Sequence, residues 1–314
     1  MRPCVLGCIL GALLVCLHAR SGFALSTARW FHRAGGTPHT QYLFLAHHKA
    51  GTELNLHIAN DMSEELSIPF EHVLWAAVSD ASRALLGTPV ALKQSEKEFT
   101  QGQHVLDTVT STGCSGNITF YEDMRAPLLD QILKTCPGTR AVHLVRRPSS
   151  IVVSDYAYTK DLKPGTERPD SVKKGETYRQ HSLSWGVQDM CSEFFKDEAE
   201  QLLGVHQMIE DKKLTNILEV RYEDYMANYD NTTRAIFEHF LGSDHPKIDQ
   251  LVTVARTFDI NRMSDDSVEA NGHVSKESDK AAANLELTKM YENGDPCAEK
   301  LKLYDGLMGY TEPW

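Results

Sequence analysis

Two segments limit the folds open to this chain: Leu45-Ala46-His47-His48-Lys49-Ala50-Gly51-Thr52-Glu53-Leu54 and Leu144-Val145-Arg146-Arg147-Pro148-Ser149-Ser150-Ile151-Val152-Val153-Ser154. Each follows a short apolar run that reads as a strand, and each opens a stretch that reads as a helix. A strand feeding a helix through a Gly- or Pro-containing turn leaves free backbone N–H groups and the positive end of the helix dipole facing one spot. The first segment carries Lys49 beside Gly51-Thr52, and the second carries Arg146 with Ser154 eight residues on. Two such cradles suit a ligand phosphorylated at two places.

The rest of the chain supplies a frame for them. Strand-like runs at Tyr42–Ala46, Ile118–Tyr121, Ala141–Val145 and Asn216–Val220 alternate with helix-like patterns at Gly51–Met62, Ala126–Lys134, Ser149–Tyr158, Ser182–Glu210 and Thr233–Leu241. Strands alternating with longer helices predict an α/β fold of three layers, a mainly parallel central sheet flanked by helices. With 314 residues, 41% of them hydrophobic, the chain can bury this as one large domain over residues 41–314. Ligands of open parallel sheets bind outside the carboxyl ends of the strands, where both cradles fall. Residues 161–180, polar and rich in Pro and Gly, read as a surface loop near the substrate mouth. Trp185, Phe194 and Phe195 on the long helix read as core.

The formal net charge of −11 excludes a general binder of nucleic acid or acidic membrane, so an anionic ligand needs a local cluster of Lys and Arg. Residues 1–25 hold an apolar stretch from about Cys4 to Leu17 after Arg2, followed by small residues. That pattern matches a signal peptide, with a short signal-anchor as the alternative and the only membrane attachment expected. Residues 26–40 read as a flexible lead-in. Beyond the leader remain Cys114, Cys136, Cys191 and Cys297, which permit two disulfides in any of three pairings, or free thiols. Asn117-Ile118-Thr119 and Asn231-Thr232-Thr233 are glycosylation sequons consistent with the secretory pathway, the second more so because Asn117 abuts a strand.

In the first cradle Gly51 lets backbone approach a phosphate, Thr52 offers a hydroxyl and Lys49 a mobile charge. Lys precedes the glycine, so this is not the nucleoside-triphosphatase loop, in which Lys follows it. In the second, Pro148 suits the first turn of a helix and Arg146 presents a planar fork.

These residues resemble a known family, the sulfotransferases that use 3′-phosphoadenosine 5′-phosphosulfate (PAPS), in particular the secretory-pathway type acting on carbohydrate. A third match is Leu218-Glu219-Val220-Arg221-Tyr222-Glu223-Asp224-Tyr225-Met226-Ala227-Asn228, followed by Ile236-Phe237-Glu238-His239-Phe240-Leu241-Gly242. The resemblance implies a P-loop-like sulfotransferase fold and a lumenal or secreted enzyme of the Golgi route. It also implies that His48, Lys49, Ala50, Gly51, Thr52 and Glu53 hold the 5′-phosphosulfate, that Arg146 and Ser154 hold the 3′-phosphate, and that Tyr222 lies by the adenine. Lys49 would stabilise charge on the departing phosphate oxygen. Relatives place a base at the end of the strand before the Arg strand, which makes Glu122 or Asp123 the candidates here. His104 is a weaker one, and His47 and His48 are alternative contacts for the acceptor, a hydroxyl or amine and first of all a glycan.

Two departures from the family pattern stand out. Glu53 replaces a residue that relatives use to touch phosphate, and a carboxylate there repels the ligand unless it turns away or pairs. The distal Lys-Gly loop is replaced at best by Gly272-His273-Val274-Ser275-Lys276, with Lys276 as contact. No metal is expected, since His47 and His48 are adjacent and no Cys or His follows at metal-site spacing. A P-loop kinase of small molecules and a non-catalytic nucleotide- or glycan-binding module are the competing readings.

Overall fold

Among the described residues, five short strands pair in parallel in the order β2-β3-β1-β4-β5. The computed structural model describes residues 40–73, 114, 116–164, 169–264, 275–312 and 314. The strands are β1 (Tyr42–Ala46), β2 (Phe70–Val73), β3 (Ile118–Glu122), β4 (Arg140–Val145) and β5 (Ile217–Arg221). The helices are α1 (Thr52–Leu66), α2 (Ala126–Thr135), α3 (Pro148–Asp161), α4 (Pro169–Gln180), α5 (Leu183–Asp197), α6 (Ala199–Lys212), α7 (Tyr222–Leu241), α8 (Ile248–Ala255), α9 (Glu277–Glu292) and α10 (Pro296–Leu307). This is the mainly parallel, helix-flanked α/β architecture the sequence predicts.

The strands are apolar at both parities because both faces are covered. On one face Phe44, Ala46, Phe120, Val142 and Leu144 pack under α1, α7 and α8 through Ile58, Met62, Phe237, Phe240 and Leu251. On the other, Leu43, Leu45, Ala141 and Ile217 meet α2 and α6 through Leu129, Ile132, Val205 and Met208. A third cluster joins α3, α4, α5, α9 and α10 around Val152, Tyr156, Tyr178, Met190 and Leu287. All of these core residues are nearly fully buried.

Several boundaries differ from the sequence reading. Part of the expected loop at 161–180 is α4: Pro169 presets its first turn, Asp170 complements the dipole, and Val172 and Tyr178 bury an apolar side. Its Gly175 is needed for close packing, since an added Cβ would lie 2.2 Å from the Thr159 carbonyl oxygen of α3. The long helix expected over Ser182–Glu210 is two helices, broken at Glu198. The helix expected from Thr233 begins eleven residues earlier, at Tyr222, and bends at Asn228, whose φ of −154° and ψ of 74° are not helical. Trp185 is no core residue: it is 38% exposed and stacks on His181, whereas Phe194 is 3% exposed.

Both disulfides form, as Cys114–Cys136 and Cys191–Cys297. Asn231 is exposed and Asn117 half-buried, which favours the second sequon. Among the described residues no helix is long and apolar enough to cross a membrane. Residues 1–39, with the expected leader and lead-in, and His104 lie outside the described residues.

Cys191 on α5 and Cys297 on α10 are separated by 106 positions, so their bond closes a long loop of the unfolded chain. Replacing both by alanine is expected to lower the unfolding free energy in urea by about 2–5 kcal/mol. An unchanged urea midpoint would show that the bond does not constrain the unfolded chain.

Candidate active site

The order of strands fixes where a ligand can sit. From β1 the chain proceeds to β2 and β3 on one side of it, and from there to β4 and β5 on the other. The switch of direction falls at the carboxyl ends of β1 and β4, the point at which open α/β sheets bind ligands. The first cradle leaves β1 and the second leaves β4 at this place.

The first cradle is a tight turn hung on one carbonyl. The His47 oxygen accepts the Ala50 N–H at 2.9 Å and the Thr52 hydroxyl at 3.0 Å. Thr52 therefore uses its proton within the turn and faces a ligand as an acceptor or through its backbone N–H. Lys49 (φ 57°) and Gly51 (φ 101°) are both left-handed. Glycine is required at 51 on two counts: its φ, and a Cβ that would lie 2.9 Å from both Leu144 Cδ2 and Tyr222 Cδ2.

The two cradles touch. Arg146 donates from Nη1 to the Lys49 carbonyl at 2.9 Å, and its guanidinium lies 4.5 Å from the centre of the Tyr222 ring. Burial lowers the Arg146 pKa, and the neighbouring Tyr222 and Glu223 oppose the shift. The Arg146 Nε is buried with no hydrogen-bond partner among the described residues. A buried guanidinium donor of this kind is costly unless something accepts from it. Tyr222, the first residue of α7, thus packs against Arg146 and Gly51 together. The Lys49 ammonium lies 3.0 Å from the centre of the Tyr158 ring on α3.

The remaining candidates surround this core. His48 donates its backbone N–H to Asp123 Oδ1 at 3.2 Å, and its Nε2 lies 3.3 Å from Asp155 Oδ1. Burial opposes the imidazolium, but the bond to Asp155 pushes the His48 pKa up to about 9. Asp155 responds in kind: burial raises it, and the His48 bond more than offsets this. His48, Asp155 and Glu198 bring atoms capable of metal ligation within 4.8 Å of one another. A metal there would have to displace the proton that the Asp155 bond holds on His48. Asp123 follows Glu122 at the end of β3, has φ 58° and donates its N–H to the Ala46 carbonyl at 2.8 Å. Burial raises its carboxyl pKa.

On the Arg146 side, Ser154 is 7% exposed, and its carbonyl accepts from Ser275 Oγ at 3.2 Å. The start of α9 is thereby docked against the second cradle, and Glu277 acts electrostatically on Arg146. The Lys276 ammonium is directed to Asp161, at 3.1 Å, and stays exposed. Glu53 is exposed, and its charge is felt by His72 on β2. Asp155 and Tyr158 were not singled out from sequence. Tyr158 follows Ser154 by four positions and Asp155 by three, so helical spacing from Ser154 points to Tyr158, and from Tyr158 back to Asp155.

The sulfotransferase domain family matches residues 117–293, more than half of the chain, and the chain belongs to that family. It is similar in structure to the mouse sulfotransferase SULT7A1 complexed with PAP, at 14% identity and a TM-score of 0.41, over 86% of this chain and 90% of that one. It is also similar to the sulfotransferase STF9 from Mycobacterium avium, at 10% identity and a TM-score of 0.41, over 73% and 70%. No curated protein matches the sequence. Membership rests on the domain match.

The His48–Asp155 pair gives a pH prediction. A histidine whose folded pKa lies above its free value of about 6.5 stabilises the fold fully below that pH and loses the contribution as pH rises through the folded pKa. In an NMR titration the His48 imidazole is expected to titrate near 9. Asp155→Asn is expected to bring the midpoint down toward the free value. A wild-type midpoint already at the free value would contradict the pairing.

Proposed function

We propose that this protein transfers a sulfuryl group from PAPS to an acceptor hydroxyl or amine, first of all on a carbohydrate. The observation that carries the reading is the Arg146–Lys49 hydrogen bond, which makes one cleft of two anion cradles. A nucleotide phosphorylated at 3′ and 5′ presents two anionic ends to such a cleft, and the bound PAP of the mouse relative is of this kind. The Gly51-Thr52 turn and Lys49 receive the 5′ end, Arg146 and Ser154 the 3′ end, and the Tyr222 ring supplies a surface for the base. Lys276, paired with Asp161 in this structure, is the candidate further contact at the 3′ end.

In the transfer, the bond between sulfur and the 5′-phosphate oxygen breaks, its electron pair stays on that oxygen, and a new bond joins sulfur to the acceptor oxygen or nitrogen. Lys49 stabilises the charge growing on the departing oxygen. The acceptor proton passes to Asp123 or Glu122. The raised pKa of Asp123 suits proton transfer, although one of its oxygens already holds the His48 N–H. Two disulfides and an exposed sequon support a place in the secretory pathway, in the Golgi lumen or outside the cell.

Calorimetric titration tests the donor site. Adenosine 3′,5′-bisphosphate is expected to bind without magnesium, while ATP is not. With labelled PAPS and a panel of glycans, peptides and phenols, Lys49→Ala and Arg146→Ala are each expected to cut transfer by about 100-fold or more. Full activity in both folded variants, or magnesium-dependent ATP binding in the wild type, would overturn the assignment.

A further inference from the structure

Four titratable side chains that the transfer does not use form one hydrogen-bonded row against the sheet. His47 Nε2 lies 3.0 Å from His143 Nε2, and His143 Nδ1 lies 3.0 Å from Glu219 Oε2. His206 Nδ1 completes the row at 2.8 Å from Glu219 Oε1. Strand register produces it. Leu45 is paired with His143 and His143 with Glu219, and His47 shares the parity of Leu45, so the three side chains stand on one face. That face is covered by α6, which brings His206.

The row is costly to keep. His47 and His143 are 1% and 0% exposed, and buried polar rings penalise the fold unless they are hydrogen-bonded. Apolar residues could fill such a space without that penalty, so a purpose beyond packing is worth seeking.

The order of protons follows from the chemistry of the partners. A carboxylate only accepts, so His143 and His206 both donate from Nδ1 to Glu219. With Nδ1 committed to Glu219, His143 meets His47 through Nε2, one of the two nitrogens donating and the other accepting. Burial opposes the Glu219 charge, but the two histidine bonds draw its pKa down to about 2. Burial, with the neighbouring His143, holds the His47 pKa well below the usual imidazole range, so His47 is neutral. The ring of His47 is thus fixed in rotamer and tautomer by a bond at Nε2.

The other end of the same residue bears the donor turn. The His47 carbonyl holds both the Ala50 N–H and the Thr52 hydroxyl. We propose that His143, anchored by Glu219 and His206, is a positioning residue for the anion-binding turn, acting through the ring of His47. The row links the turn to the edge strand β5, so that the carbonyl on which the turn hangs does not drift. The inference rests on the donor-site reading for the identity of the ligand, while the turn itself is observable without one.

The test compares His143→Leu with His143→Gln, whose amide can still hydrogen-bond to the His47 ring, and with Val142→Ala on the opposite face of β4. In each, hydrogen exchange of the Ala50 amide is measured against that of Leu144, the His47 tautomer is read from imidazole nitrogen shifts, and adenosine 3′,5′-bisphosphate binding is titrated. His143→Leu is expected to speed relative Ala50 exchange, and to weaken nucleotide binding, by about tenfold, with loss of the fixed His47 tautomer. His143→Gln is expected to stay within about threefold of wild type in both readouts. Val142→Ala is expected to lower global stability and leave both ratios unchanged. Unchanged Ala50 exchange in His143→Leu, or equal loosening in Val142→Ala, would overturn the proposal. If the wild type binds no nucleotide, the donor-site reading fails while the exchange ratios still decide the role of His143.

Discussion

The structure turns on the hydrogen bond from Arg146 to the Lys49 carbonyl. Each cradle alone is a common strand-to-helix turn with one cation beside it. Joined, they bring Lys49 and Arg146 to one place at the carboxyl ends of β1 and β4, which the proposed function reads as a cleft with two anion-binding ends. Their closeness follows from sheet topology, since β1 and β4 are neighbours although their cradles are separated by almost 100 positions in sequence. Tyr222 enters the same place from β5 and closes the wall between them.

The cleft is electrostatically local. The chain carries a net charge of −11, and carboxylates crowd the cations: Asp123 and Asp155 meet His48, while Glu277 acts on Arg146. Such pairing holds His48 in its charged form at neutral pH, which adds a cation beside Lys49 on the turn. An acidic surface of this kind repels polyanions in general, and only a ligand that meets both cradles is compensated for the approach. Glu53, the residue at odds with the family pattern, is exposed at the surface.

Much of this was legible in the sequence. The strands β1, β3 and β4 are nearly all-apolar runs because a parallel sheet covered on both faces asks for that, and β5 was placed within a residue. Lys49, Gly51 and Arg146 were found from two strand-to-helix turns and Tyr222 from the family resemblance, and they do converge. Features set by tertiary packing were not legible. Pro169–Gln180 is polar enough to pass for loop, and its helix is held by Val172, Tyr178 and the close approach of Gly175 to α3. The break at Glu198 and the bend at Asn228 have no glycine or proline to announce them. Four cysteines gave three pairings, and only the fold selects Cys114–Cys136 and Cys191–Cys297. His143 and Glu219 were hidden for a different reason: a single polar residue in a buried strand shows no partner until lateral register is known.

A crystal structure with adenosine 3′,5′-bisphosphate tests the claim of a shared cleft most directly. The account predicts the 5′-phosphate on the backbone N–H groups of Gly51 and Thr52 beside Lys49, the 3′-phosphate on Arg146 and Ser154, and the adenine near Tyr222. A nucleotide bound with only one of its phosphates at these residues, or bound elsewhere on the sheet, would contradict it.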